Sequence, residues 1–314
     1  MKVALTAGAA LVASLGLGAP TDAGQINTGG ETGAYYSTFC PQLEAELKKS
    51  KFDYSCATSA GSRENIRRVM GDPSQVAFTQ FDVFALENQN IGGANLFKVL
   101  RSDIAKECVF IITRNRDITN FGQVAALASE LRFVLPPERS GSTGTFEYLQ
   151  SIDPEGLGAA RNVTYAGSPD EAIDRALSGD DVVTLFVQFP DPKNARFVSI
   201  AEKGGNLVPV LDRNILRQEI DGKKVYFAEE TEINLPKWNK SAKKVVTACT
   251  PMLLITGTPD RVEAGDPRKD QQDLIRTVEA LEVEQLQPKT GFLAKLWRKT
   301  KALSAALSQI ERQF

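Results

Sequence analysis

Between Gly24 and Gly257 short apolar runs alternate with stretches of helical spacing, and this alternation constrains the chain more than any other feature. Phe52–Thr58, Val76–Thr79, Phe97–Leu100, Cys108–Thr113, Leu131–Leu135, Val163–Ala166, Asp181–Val187 and Arg196–Ile200 have strand length and composition. Ser37–Ser50, Gly61–Met70, Gln80–Glu87, Asn120–Ser129, Phe146–Ser151 and Pro169–Ser178 carry helical spacing, with Ser62 and Thr119 placed as caps. Strand followed by helix, repeated, predicts mainly parallel sheets flanked by helices. One such set precedes residue 110 and a second occupies Asn115–Lys244. A chain of 314 residues is long enough for two medium domains.

Val245–Thr256 is a long apolar run of the same character as Cys108–Thr113. If both runs cross between the two α/β sets side by side, the chain is two-lobed with two hinge strands. Lobe 1 is then 24–110 together with 250–314, and lobe 2 is 111–249. Four cysteines, Cys40, Cys56, Cys108 and Cys249, allow three pairings, with four free thiols as the alternative to all of them. Cys40 on the first helix and Cys56 on the strand beside it are expected to meet. Cys108 and Cys249 are expected to pair across the hinge strands.

The ends read differently. Lys2 followed by the small and apolar run Val3–Ala19, then Thr21-Asp22-Ala23, predicts a signal peptide over 1–23 cleaved after Ala23. The alternative, a membrane anchor, is disfavoured by the many Ala and Gly residues and the short span. Export to the periplasm in turn favours disulfides. At the other end, Pro267–Leu286 and Phe292–Phe314 read as amphipathic helices. The basic residues Lys295, Arg298, Lys299 and Lys301 suit a membrane surface, but packing of the apolar stripe on the protein is the preferred reading.

The chain has no histidine, which removes histidine-dependent triads and most zinc sites. With 39 acidic and 37 basic residues there is no wholesale basic surface for nucleic acid. Two segments hold the functional interest. Thr28-Gly-Gly-Glu-Thr-Gly33, followed by Tyr35 and Tyr36, and Ser140-Gly-Ser-Thr-Gly-Thr145, preceded by Arg139, are glycine- and hydroxyl-rich turns that enter helices. Glycine admits close backbone approach, and amides at a helix start favour carboxylate or phosphate. One turn falls in each expected lobe. Neither fits a nucleotide-binding fingerprint. Ser59, Ser62, Gln80 and Asp82 follow strands and can bond a ligand, although the serines and Asp82 serve equally as caps. Arg63 can pair with an anion or sit solvated on its helix. Phe186 and Phe189 can wall a cleft or fill a core.

In order along the chain, Asn27–Tyr36, Thr58–Asn65, Val76–Asp82, Ser140–Thr145 and Leu185–Pro190 resemble the TAXI family, the substrate-binding subunits of one branch of TRAP transporters. Ile233–Pro236 and Val245–Ile255 look like that family's return strand, so the match spans about Gln25–Gly257. The chain departs from the family at Ser37–Cys40, where proline and glycine are usual, and over Lys203–Glu230. The resemblance implies a type II periplasmic-binding-protein fold, a hinged cleft, no cofactor, a membrane permease partner, and a small anionic ligand such as an acidic amino acid or small carboxylate. It implies Gly30, Tyr36, Ser59, Gln80, Ser142, Thr143 and Thr145 as cleft residues; Ser62 and Phe186 join them from the reading of the residues themselves. Two other classes stand beside this one. A sensory or scaffolding protein on the same fold would bind a ligand and then a non-transport partner. An enzyme would need Asp82, Glu31, Glu147 or a free cysteine to act.

Overall fold

The computed structural model describes residues 24–92, 95–234 and 241–288. The expected signal peptide and the basic helix over 292–314 lie outside these residues. The first half of the chain forms β1 (Gly24–Asn27), a π-helical turn (Tyr35–Phe39), α1 (Cys40–Lys49), β2 (Tyr54–Ala57), α2 (Ser62–Gly71), β3 (Val76–Gln80), α3 (Phe81–Asn90), β4 (Phe97–Arg101), β5 (Lys106–Thr113), α4 (Phe121–Ala126), β6 (Arg132–Leu135) and α5 (Gly141–Ile152). There follow β7 (Asn162–Tyr165), α6 (Pro169–Ala176), β8 (Val182–Gln188), α7 (Ala195–Glu202), β9 (Asn206–Pro209), α8 (Arg213–Leu216), the short pair β10 (Glu219–Ile220) and β11 (Lys223–Lys224), β12 (Phe227–Glu232), β13 (Lys244–Gly257), α9 (Asp266–Ala280) and α10 (Val283–Leu286).

The strands divide into two lobes of the same plan. In lobe 1 the order is β2-β1-β3-β13-β4, with β1 parallel to β2 and β3, and with β13 antiparallel to both β3 and β4. In lobe 2 the order is β7-β6-β8-β5-β9, with β6 parallel to β7 and β8, and β5 antiparallel to β8 and β9. Each sheet is therefore second, first, third, returning strand, fourth, and the returning strand is one of the two that cross the hinge. This order is the type II periplasmic-binding-protein arrangement, so the expected fold class holds. β13 serves both lobes: Lys244–Pro251 pairs with β12 and β5, and Met252–Gly257 pairs with β3 and β4.

The hinge strands meet where Cys249 faces Cys108 and Thr250 faces Glu107. Cys108 is disulfide-bonded to Cys249, and Cys40 to Cys56. Lobe 1 is filled on one sheet face by Ile26, Leu43, Leu47, Phe78 and Leu254, under α1, α9 and α10, and on the other by Ile66, Val69, Val83 and Ile255, under α2 and α3. The core of lobe 2, built on Ile111, Phe133, Phe146 and Leu185, also takes in Ala85 and Leu86 from α3 of lobe 1. The lobes thus share apolar surface through α3.

Several local expectations change. Arg196–Ile200 is helical, not a strand: Asn194 caps the amide of Arg196 at 3.0 Å, and Phe197 and Ile200 point to one side, at helical spacing, into the lobe 2 core. Ser140–Thr145 is not a turn ahead of the helix at 146. Ser140 is the N-cap, accepting from the amide of Thr143, and the glycines form the first helical turn of α5. Gly61 caps α2 in place of Ser62, in a backbone conformation at φ 125° that an L side chain rarely adopts. Asn120 caps α4 in place of Thr119. The expected helix over 267–286 breaks at Leu281 and Glu282.

Candidate functional site

The two glycine-rich segments approach each other from opposite lobes. The first is anchored from below. The Thr28 amide and hydroxyl both donate to the carbonyl of Ala57, and Asn65, wholly buried on α2, donates to the carbonyls of Thr28 and Phe78. Above that anchor the chain is open: a Cβ at Gly29 or Gly30 would meet nothing within 4 Å. The second segment is closed in. A Cβ at Gly141 would fall 2.0 Å from Gln80 Oε1, and one at Gly144 would fall 2.8 Å from Val83 Cγ1. Only glycine permits the start of α5 to pack this closely on α2 and α3 of the other lobe.

Between the segments lies a cavity of about 110 Å3. Lobe 1 lines it with the backbone of Gly29, Gly33 and Gly61 and with Tyr35, Ser62 and Gln80. Lobe 2 contributes Gly141, Ser142, Val187, Gln188 and Arg196, and the hinge strand β5 contributes Glu107. Ser62 donates to Gln80 Oε1 and accepts from the Gln80 amide, both at 3.2 Å. Ser142 accepts from the amide of Val187 at 3.0 Å. Each hydroxyl is thus engaged by an amide or carboxamide, and neither is paired with a base. Arg196 reaches from α7 to Asp170 at 2.7 Å, to Gln188 at 3.3 Å and across the cleft to Thr32 at 3.5 Å. Glu107 accepts from the hydroxyl of Tyr35. Burial pushes its carboxyl up to about 7; the Asp82 charge adds to the rise, and the Tyr35 bond opposes it. Burial also drives the Tyr35 hydroxyl well above its ordinary value, with the Glu107 charge acting in the same direction.

Beside the cavity two buried polar groups join the lobes. Arg63 on α2 donates to Glu87 of its own lobe at 2.6 Å, and to Glu147 and the Glu138 carbonyl of lobe 2. Asp82 on α3 accepts from Thr145 at 2.6 Å and from Tyr226 at 2.7 Å, both in lobe 2. Burial raises the Asp82 carboxyl despite these donors. Arg63 is therefore neither a ligand partner nor a solvated helix residue, but half of an ion pair between lobes. Glu147 is its partner.

Of the residues singled out in the sequence, Ser62, Gln80 and Ser142 meet at the cavity. Ser59 bonds Asn65 at 2.6 Å, within its own turn. Thr143 donates to the Pro136 carbonyl at 2.9 Å and Thr145 to Asp82. Gly30 is exposed on the open turn. Tyr36 is half-buried, and the neighbouring Tyr35 is the one that lines the cavity. Phe186 packs edge-on against Phe197 in the lobe 2 core, and Phe189 packs against Phe39 of lobe 1. Glu107, Gln188 and Arg196 line the cavity without having been singled out in the sequence, and Tyr35 was noted there but passed over for Tyr36. Glu107 carried one signal: it is a charged residue at the head of an apolar hinge strand. Among the described residues one cysteine–carboxylate grouping has metal-like spacing, Cys40, Glu44 and Cys56, but its two sulfurs are bonded to each other. No helix among the described residues is long and apolar enough to cross a membrane.

No protein-family model matches the sequence, and no curated protein matches it. Solved structures do. A phosphate-transport receptor of the ABC type from Vibrio cholerae is 13% identical, with 84% of this chain and 96% of that one covered at a TM-score of 0.44. A putative phosphate ABC transporter substrate-binding protein with bound phosphate, from Clostridium perfringens, is 17% identical, with 86% and 100% covered at 0.41. The effector-binding domain of QuiR in complex with shikimate is 10% identical, with 80% and 93% covered at 0.44. These proteins are binding, receptor or regulatory domains. The assignment of the fold rests on the strand order described above.

Proposed function

We propose that this chain is an exported, periplasmic solute-binding protein, which holds a small carboxylate-bearing metabolite between its lobes and hands it to membrane permease subunits of the TRAP type. The observation that carries the reading is the cavity lined by both lobes, with Ser62 and Gln80 on one side and Ser142 and Arg196 on the other. Arg196 and the amino end of α5 supply the positive character a carboxylate needs. A site assembled from two lobes on paired hinge strands suits capture by closure, after which the closed face is what a permease would read. Lobes divided at 110/111 and 249/250 would place both boundaries within the hinge strands. Nothing in the reading requires chemistry on the ligand.

A thermal-shift screen of the chain from Gly24 tests it, with small carboxylates, amino acids, phosphate, sulfonates and sugars. A solute at about 100 times its Kd should stabilise by about 2.7 kcal/mol. For a chain of this size that is a rise of several degrees, at about 2–4 °C per kcal/mol. A shift confined to carboxylates and lost in Arg196→Ala supports the reading. A folded protein indifferent to the whole panel counts against it and moves weight to the sensory or scaffolding class, which ligand-dependent capture of a non-transport partner would select.

A further inference from the structure

Glu107 lies at the cavity with one oxygen spoken for and one not. It is 9% exposed, and Oε2 accepts from Tyr35. Among the described residues no side chain or amide donates to Oε1. The groups around it offer no compensating cation. Tyr35 from the π-helical turn is neutral, and Asp82 from α3 is a second acid whose charge opposes that of Glu107. Thr250 faces it from β13. Lys106, the preceding residue, turns away to Glu229 and to the ring of Phe227. Arg196, the cation that lines the cavity, bonds Asp170, Gln188 and Thr32 and not Glu107. A carboxylate taken out of water without a cation is strongly disfavoured, and it either keeps its proton or acquires a positive partner. In a cavity built to admit a solute, that partner can come with the solute.

We propose that the solute held in this cleft presents a protonated amine to Glu107, so that the site selects amine-bearing solutes over amine-free solutes of the same shape. This rests on the solute-binding reading and narrows it: the carboxylate faces Arg196 and the amine faces Glu107. A cavity of about 110 Å3 suits a small solute. Seating an ammonium beside Glu107 displaces its proton, because the pair is stable only with the carboxyl ionised. Binding near pH 7 therefore releases a proton to the buffer.

The test pairs each amine with its hydroxyl counterpart: glycine with glycolate, alanine with lactate, serine with glycerate. Titration calorimetry on the chain from Gly24 at pH 7, in two buffers of different ionisation enthalpy, gives affinity and protons exchanged together. The expected result is at least tenfold tighter binding of one or more amines than of the matching hydroxy acid, with release of a fraction of a proton to one proton. Glu107→Gln should erase that preference and the proton release. Hydroxy acids that bind as tightly as their amine partners, or amine binding without proton release, overturn the proposal and leave solute binding standing. No binding by either member of any pair overturns it; if the wider screen is also silent, solute binding falls with it. If Glu107→Gln fails to fold, as judged by circular dichroism, the wild-type affinity ratio and proton count decide the matter alone.

Discussion

The two glycine-rich segments have nearly the same composition and opposite fates. Thr28–Gly33 stays open above its anchor, with empty space where side chains at Gly29 and Gly30 would go. Ser140–Thr145 is wound into the first turn of α5 and pressed onto the other lobe until Gln80 and Val83 occupy the space of its absent side chains. Glycine in the first segment leaves room; in the second it permits contact. Composition cannot tell these apart, because what separates them is the partner on the far side. Arg63 holds the second segment in place by binding the Glu138 carbonyl just before it and Glu147 just after it. The first is tied to the cavity through Tyr35 and the titrating carboxyl of Glu107.

Removing the clamp should have the largest effect. Arg63→Met leaves Glu87 and Glu147 facing each other unpaired, and breaking a buried pair from one side costs about 3–5 kcal/mol. Denaturant unfolding should show that loss, with a fall of about 10 °C in Tm. A loss below 1 kcal/mol would mean that the second segment is held by its glycine packing alone.

The next effect separates the two anchors by pH. The Glu107 carboxyl is raised from its ordinary 4.5 to about 7 in the fold, so the folded chain binds more protons than the unfolded chain across that window. The stability that this group contributes is fully present below pH 4.5 and is lost as pH rises through 7. Between pH 5 and 8 the loss is about 2–3 kcal/mol, since one unit is worth about 1.4 kcal/mol. Asp82, also raised, adds in the same direction. Glu107→Gln should flatten most of this slope in unfolding measured across pH. Arg63→Met should leave the slope in place.

Smaller again is Gly144→Ala, whose new methyl must displace the branched side chain of Val83, a buried overpacking worth about 1–3 kcal/mol. Gly30→Ala should change stability by less than about 0.5 kcal/mol, as the site is open and its φ is ordinary. Equal effects at the two positions would erase the distinction between the segments.

The alternation of apolar runs and helical stretches was enough to read two α/β lobes and two crossing strands. Those strands in turn placed Cys108 opposite Cys249, because residues on neighbouring strands meet once the register is set. The register itself follows from burial of one continuous run, Thr247–Gly257. Arg196–Ile200 was misread because five residues with a β-branched centre fit either period; the capping Asn194 was the signal that decided it. The cavity was half legible. Ser62, Gln80 and Ser142 follow strands or open helices, where a local rule can find them. Tyr35, Gln188 and Arg196 reach the cavity only through the π-helical turn, the end of β8 and the start of α7, whose orientation is set by tertiary packing. Thr143, Thr145 and Phe186 face inward for structural reasons that the same local rules cannot distinguish from ligand contact.

β13 has a consequence for the order of events during synthesis. It is the strand between β3 and β4 in one sheet and the neighbour of β5 and β12 in the other, yet it is made of residues 244–257. A chain emerging from its amino end carries more than 240 residues before the strand that joins β3 to β4 appears. Until then β3 and β4 have no shared neighbour and Cys108 has no partner. Completion of lobe 1 therefore waits for β13, whereas the five strands of the lobe 2 sheet are all present by Pro209.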